Sequence, residues 1–255
     1  MKSELTVIKI GGKIISNSEL LDKYIKKIIN FSGNIIIVHG GGNIANEYFK
    51  ENNHPVKLID GRRITDKKTL EKLVMLYSGL INKNIISKLS CSNKKYIGLS
   101  GVDSKVIESK KREIKDIDYG HVGDIKKIDG DFIKLLLKNK SFPVFCPITA
   151  NNKGELLNTN ADTIATMIAI EMTKYYNVNL FYFFDKPGVI IANKVIGEIN
   201  EKKYSSFKKS KEIKDGMIPK LDNSFKARRN GVKKVLIGDI NIFEKSHNST
   251  EICLN

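Results

Sequence analysis

Apolar residues fall in short blocks along this chain, and the first two blocks end in glycine. Leu5-Thr6-Val7-Ile8-Lys9-Ile10 is a strand-type run that stops at Gly11-Gly12. Over residues 18–31 the apolar positions Leu20, Leu21, Tyr24, Ile25, Ile28 and Ile29 recur at helical spacing. Ile35-Ile36-Ile37-Val38 is a second continuous run, ending at His39-Gly40-Gly41-Gly42, and a short helix is expected over residues 43–50. Two continuous apolar strands joined by a helix make a βαβ unit with parallel pairing. Further on, the pattern predicts a long helix over residues 67–89 and short strands and turns over 95–128. A helix at 131–137 precedes a strand at 142–146, and a helix at 162–175 precedes a strand at 180–184. Residues 233–238 and 251–253 supply the last strands. This alternation predicts an α/β three-layer sandwich, a mostly parallel central sheet with helices on both faces. No repeat, low-complexity block or linker divides residues 1–255, so a single domain is expected.

Composition narrows the function. At 41% hydrophobic residues the chain has material for a large core. No apolar run approaches the roughly 20 residues that span a bilayer. The N-terminus, Met1-Lys2-Ser3-Glu4-Leu5, lacks the apolar stretch and cleavage site of a signal peptide, so no membrane partner and a cytoplasmic location are expected. Cys91, Cys146 and Cys253 are odd in number, far apart and outside any CxxC arrangement, which points to buried or incidental thiols. The net charge of +16 comes almost entirely from lysines scattered beside abundant Ile and Asn, as a composition bias would leave them. Arginine, the better bidentate phosphate ligand, occurs only at Arg62, Arg63, Arg112, Arg228 and Arg229. With no helix-turn-helix, zinc-finger or RNP-like segment, no nucleic-acid partner is expected, though the field favours anionic substrates.

Candidate chemistry sits at the glycine corners. Strand-to-helix corners at the carboxyl edge of a parallel sheet are where such folds bind ligands. Glycine lets a backbone approach closely, and the amides of the following helix face an anion. Two such corners side by side suit a phosphate chain opposite a second anion; ordinary tight turns are the alternative. Lys9 places a charge inside an apolar strand run just before the first corner, and a buried lysine needs a partner. Gly40, Gly42 and Ala45, with Asp60 twenty residues after Gly40, imitate a dinucleotide fingerprint, but on the second strand rather than the first. No Walker A sequence occurs, so a nucleotide site must be of another kind.

In these blocks and their order the chain resembles the amino acid kinase family. The likeness runs from Val7-Ile8-Lys9-Ile10-Gly11-Gly12 through Ile37-Val38-His39-Gly40-Gly41-Gly42-Asn43 and Asp60-Gly61-Arg62-Arg63-Ile64-Thr65. It continues at Gly98-Leu99-Ser100-Gly101-Val102-Asp103, Gly120-His121-Val122-Gly123 and Leu157-Asn158-Thr159-Asn160-Ala161-Asp162. It ends with Asp185-Lys186-Pro187-Gly188-Val189 and Asp215-Gly216-Met217-Ile218-Pro219-Lys220. The resemblance implies transfer of the γ-phosphoryl group of ATP to the γ-carboxylate of an N-acyl-L-glutamate, as in arginine biosynthesis. It assigns Lys9 and Lys220 to the moving phosphoryl group and Asp162 to orienting both lysines. Arg63 would hold the substrate's α-carboxylate, Gly41 and Gly42 would contact the substrate, and Asn158 would hydrogen-bond it. Gly11, Gly12, Asp185 and Gly188 would lie on the ATP side. Residues 1–160 would form mainly the acyl-amino-acid lobe and 161–255 mainly the ATP lobe. Mg2+ would be bound through ATP phosphates, with no dedicated protein metal cage.

Alternatives stay open at particular positions. The Asn158/Asp162 cluster also suits a helix cap. His39 and His121 are read as structural or gating, and His54 and His247 as surface residues. Phe184 stands where the family usually has Ser or Thr, and Lys186 follows Asp185, which affects the nucleotide loop. Val102 and Ser104 replace residues usual near the acyl group, so acetyl has rivals: succinyl, or a carrier-linked aminoadipate. Because the first strand comes at once, the resemblance implies a homodimer without arginine feedback. The rival functions are an aspartate, carbamate or uridine monophosphate kinase, and a non-catalytic dinucleotide- or ligand-binding protein.

Overall fold

The computed structural model describes residues 2–59, 62–114, 116–213, 216–244 and 248–255. Asp60, Gly61, Asp215 and His247, which carry sequence expectations above, lie outside the described residues.

The apolar runs become a central sheet. Its strands are β1 (Glu4–Ile10), β2 (Asn34–His39), β3 (Lys95–Leu99), β4 (Ser141–Phe145), β5 (Asn177–Phe183), β6 (Glu198–Ile199), β7 (Lys234–Gly238) and β8 (Thr250–Ile252). They lie in the order β6-β8-β7-β5-β1-β2-β4-β3. Every pairing is parallel except β7 with β8. Strands buried on both faces read as continuous apolar runs, which is why β1 and β2 show no alternation. A second, four-stranded sheet joins Leu156–Asn158, Ile148–Ala150, Ile107–Lys111 and Gly123–Ile128, and two antiparallel pairs, Leu58–Ile59 with Arg62–Arg63 and Ile190–Ile191 with Lys194–Val195, complete the β structure of the described residues.

Helices cover both faces. In register, Lys9 pairs with Tyr182 and Ile10 with Phe183, so each pair points to one side of the sheet. Phe183 packs edge-on against Tyr24 of α1 (Ser18–Asn30) at 5.2 Å. Lys9 and Tyr182 face the opposite helix layer. After α2 (Gly42–Glu51), a continuous helical rod runs through α3 (Lys67–Val74), a π-helical stretch Met75–Ile81, and α4 (Asn82–Leu89). α5 (Gly130–Lys138), α6 (Ala161–Met172), α7 (Glu201–Lys209) and α8 (Met217–Arg229) follow. α6 starts where the Asn160 side chain accepts the Thr163 amide at 3.0 Å, a standard N-cap. α8 tolerates Pro219 because a first-turn N–H has no helical partner to lose.

One buried polar link fixes the middle of the sheet. Asn82 is 1% exposed and donates to the Val144 carbonyl at 3.0 Å. It also bonds Nε2 of buried His39 at 3.1 Å. The other ring nitrogen, Nδ1, donates to the Gly40 carbonyl at 2.7 Å, so Nε2 is the acceptor. Burial lowers the His39 pKa to about 4, and the ring is neutral at physiological pH. Asn82→Ala strips both partners. It is expected to cost about 1–3 kcal/mol, measured as a lower urea midpoint at unchanged slope; an unchanged midpoint contradicts this.

Candidate active site

The carboxyl ends of β1 and β2 lie side by side, so their glycine corners abut. A Cβ built on Gly12 would sit 3.5 Å from the Gly42 amide nitrogen, and one on Gly40 would sit 3.5 Å from the Gly12 nitrogen. After β1 the chain makes one helical turn, Gly12–Ile15; after β2 it enters α2. Gly41 is required by close approach, since its Cβ would fall 2.7 Å from Tyr77 and from Ile81 on the π-helical stretch. A Cβ on Gly42 would meet nothing within 4 Å, because it faces an open cavity.

That cavity, of about 350 Å³, is lined by Lys9, Gly12, Gly40–Gly42, Arg63, Asn158 and Asp162 among others. At its base Asp162 bridges two cations. Lys9 Nζ lies 2.8 Å from Asp162 Oδ1 and Lys220 Nζ lies 3.2 Å from Oδ2. The three side chains are 10–13% exposed. Lys9 comes from β1, Asp162 from the first turn of α6 and Lys220 from the first turns of α8, so residues distant in sequence meet on one carboxylate. Burial alone would raise the Asp162 pKa, but Lys220 and Lys9 outweigh it and hold the carboxyl below the usual range. Burial, with repulsion from Lys9, lowers the Lys220 pKa to about 8 against the pull of Asp162. Two ammonium groups share one carboxylate, leaving positive charge that suits an arriving phosphate.

Arg63 forms another wall. Its Nη2 donates to Asn46 Oδ1 at 2.5 Å, and its guanidinium lies over the Phe49 ring at 5.2 Å. Its Nη1 is buried and has no geometric hydrogen bond among the described residues. Tyr77 also lies beside the guanidinium, and a cation held in this way on the cavity wall suits an anion. Asn158 Nδ2 donates to Thr65 Oγ1 at 3.1 Å, and the cap of α6 is Asn160, so Asn158 is left to line the cavity.

Other expected positions lie away from this centre. The Gly11 amide is taken by the Phe183 carbonyl at 3.0 Å, so Gly11 shapes the corner. Asp185 pairs with Lys13 at 3.1 Å beside the Gly12 turn. Gly188 is packed under Thr250 and Val195, each 2.7 Å from a would-be Cβ, and its smallness serves packing. Val102 lines a separate cavity and Ser104 is exposed; neither borders the main one. Apolar wall is supplied instead by Leu58, Tyr77, Val122 and Pro147. His54, expected on the surface, is half-buried, stacked on Phe49 at 5.0 Å and bonded to Thr69 at 2.9 Å. His39 acts structurally, as described.

Sequence reasoning missed Tyr77, Asn46, Arg62 and Arg112 as cavity residues. Tyr77 was indistinguishable from core, because its approach depends on the π-helical winding. Arg112 carried one usable signal, the scarcity of arginine in a lysine-rich chain.

A parallel sheet with abutting glycine corners over a Lys-Asp-Lys centre is the plan of a phosphoryl-transfer fold of the amino acid kinase kind. The chain belongs to the amino acid kinase family, whose model matches residues 4–239. It is 44% identical over 239 residues to the acetylglutamate kinase of Cytophaga hutchinsonii, covering 92% of this chain and 90% of the relative. It is 41% identical to the acetylglutamate kinase of Phocaeicola vulgatus, covering 93% and 94%. Among solved structures, smu.665 from Streptococcus mutans UA159 superposes with a TM-score of 0.85 at 29% identity, covering 98% of this chain and 99% of that one.

Asp162→Asn removes the shared counter-charge and is expected to cost about 3–5 kcal/mol at pH 7. A lysine whose folded pKa lies below its unfolded value opposes folding, and the cost is relieved as pH rises from about 8 toward the ordinary lysine value. The variant's deficit in denaturant unfolding should therefore shrink between pH 7 and pH ~10. A deficit that grows with pH contradicts the assigned charges.

Proposed function

We propose that this chain is an acetylglutamate kinase, which phosphorylates the γ-carboxylate of N-acetyl-L-glutamate with ATP to give an acyl phosphate and ADP. The observation that carries this reading is the single carboxylate of Asp162 joining Lys9 and Lys220 beside two abutting glycine corners. Kinship to enzymes of that name over nine-tenths of both chains supports it.

The acceptor is ionised at neutral pH, so no general base is needed. Its γ-carboxylate oxygen attacks the γ-phosphorus, the bond from that phosphorus to the bridging oxygen breaks, and ADP leaves. The obstacle is charge: an anion must meet a phosphate chain. Lys9 and Lys220 neutralise the equatorial oxygens of the moving group, and fixed ammonium groups in a water-poor site need no reorganisation. Asp162 holds both lysines at the required separation. The Gly41 and Gly42 backbone and Asn158 orient the acceptor, and the Arg63 guanidinium takes its α-carboxylate. The acyl group rests on Leu58, Tyr77, Val122 and Pro147. The cavity's lining residues span positions 9–162, so residues 1–160 form mainly the acceptor side; ATP comes from the side of Gly11, Gly12, Asp185 and Gly188, with residues 161–255. Both Asp162 oxygens are engaged by lysines, so Mg2+ would be held through the ATP phosphates and would supply charge screening there. The enzyme works as a cytoplasmic homodimer.

One observation favours a second reading, N-succinylglutamate as acceptor. Arg62 and Arg112 also line the cavity, and Nη1 of Arg112 is buried without a hydrogen-bond partner among the described residues while its other nitrogens bind Asp124. A second acyl carboxylate would find these cations.

An ATP-dependent hydroxamate assay, which traps acyl phosphates, tests both readings. Product is expected from acyl-glutamates and not from free glutamate; folded protein with no product from either acyl-glutamate refutes the proposal. Lys9→Ala and Lys220→Ala should each lower kcat roughly 100- to 1000-fold with far smaller changes in ATP binding. Under the second reading, Arg112→Leu lowers kcat/KM for N-succinylglutamate about ten- to hundredfold and spares N-acetylglutamate. An equal effect on both removes that reading.

A further inference from the structure

Lys220 has a third neighbour besides Asp162 and Lys9. Its ammonium lies 5.0 Å from the ring centroid of Tyr182, within cation–π range. Tyr182 is on β5, fully buried, and pairs in register with Lys9 on β1. Its hydroxyl lies 2.5 Å from Thr166 Oγ1, which donates to the Asp162 main-chain carbonyl at 2.7 Å. One side chain therefore touches the ammonium of Lys220 by its ring and the helix turn carrying Asp162 by its hydroxyl, on the strand beside Lys9.

A ring face matters here because one carboxylate cannot neutralise two ammonium groups. Among the described residues, the charged groups facing Lys220 are Asp162 from α6 and Lys9 from β1. On its own helix, Asp222 is engaged by the Tyr204 hydroxyl at 2.7 Å. Burial and Lys9 both disfavour the charged form, and only Asp162 favours it among these ionic groups. The negative face of an aromatic ring attracts a cation most strongly where water is excluded. An aliphatic side chain of similar size fills the space and supplies no such attraction. Burial also keeps the Tyr182 hydroxyl protonated, so it remains a hydrogen-bond donor and not an anion.

We propose that Tyr182 is a positioning residue for Lys220: its ring face keeps the ammonium charged and aimed at the phosphoryl group, while its hydroxyl anchors the start of α6. The proposal rests on the kinase reading above for its catalytic consequence, and not for its physical one.

The test separates ring electronics from packing. Tyr182 is replaced by Phe, by Leu, and by two para-substituted phenylalanines of similar size, p-methyl (electron-rich) and p-cyano (electron-poor). The Lys220 ammonium titration is followed by NMR of 13C-labelled lysine, assigned with Lys220→Ala, and kcat/KM for ATP is measured against pH. Tyr182→Phe should retain the wild-type Lys220 titration. The p-cyano protein should titrate at lower pH than the p-methyl protein, with the alkaline limb of the rate profile moving the same way. Tyr182→Leu should move it further and lower kcat about tenfold at an unchanged KM for the acyl-glutamate. Should Tyr182→Leu fail to fold, the p-methyl and p-cyano pair carries the test. Identical Lys220 titrations in that pair would overturn the proposal. If the wild-type protein forms no acyl phosphate, the kinase reading fails, and the NMR comparison still decides the role of Tyr182.

Discussion

One carboxylate held between two ammonium groups is the contact on which the site depends. Removing three charges from water is costly, and only their mutual attraction makes it tolerable. The arrangement is uneven: Asp162 balances one lysine, and the other leaves a net positive charge among side chains that are almost fully buried. A phosphate chain completes the balance. The architecture serves that contact. A central strand carries Lys9 to the sheet's carboxyl edge, the first turn of α6 presents Asp162 above it, and α8 returns from the end of the chain with Lys220.

The surroundings are tied together by packing and hydrogen bonds. His39, neutral and bonded on both ring nitrogens, ties the Gly40 carbonyl to Asn82 and through it to β4. The π-helical stretch pushes Tyr77 and Ile81 against Gly41, leaving no room for a side chain there. π-Helical windings recur at functional sites because they shift a side chain out of ordinary helical register. Here the winding seats a tyrosine on the cavity wall. The glycine corner is thus braced from both sides at the cavity wall.

Much of this was legible from residue order. Continuous β-branched runs ending in glycine gave β1, β2 and their parallel pairing, and the oddity of Lys9 inside such a run marked the centre. A helix start near residue 162 was legible, though the cap belongs to Asn160, and Asp162 was identified as the partner only through the family resemblance. Lys220 was legible only through the family resemblance, because a lysine in a lysine-rich helix looks solvated; its 8% exposure comes from the docking of α8 on α6. Short strands at 148–150 and 156–158, and the polar helix α7, escaped because neither has enough residues on one apolar face to show a period. Val102 and Ser104 are adjacent in motif order to residues of the main cavity, but Val102 lines a separate cavity and the apolar lining of the main one comes from Val122, Pro147, Leu58 and Tyr77.

The central claim is that both ammonium groups leave a shared carboxylate only far enough to grip the same phosphoryl group. The most direct measurement is a crystal structure with ADP, magnesium, an acyl-glutamate and a planar aluminium fluoride mimic of the phosphoryl in flight. The account predicts the amino nitrogens of Lys9 and Lys220 on opposite equatorial ligands of the mimic, with Asp162 still between them. A mimic bound in line with the acceptor but touched by neither lysine would contradict it.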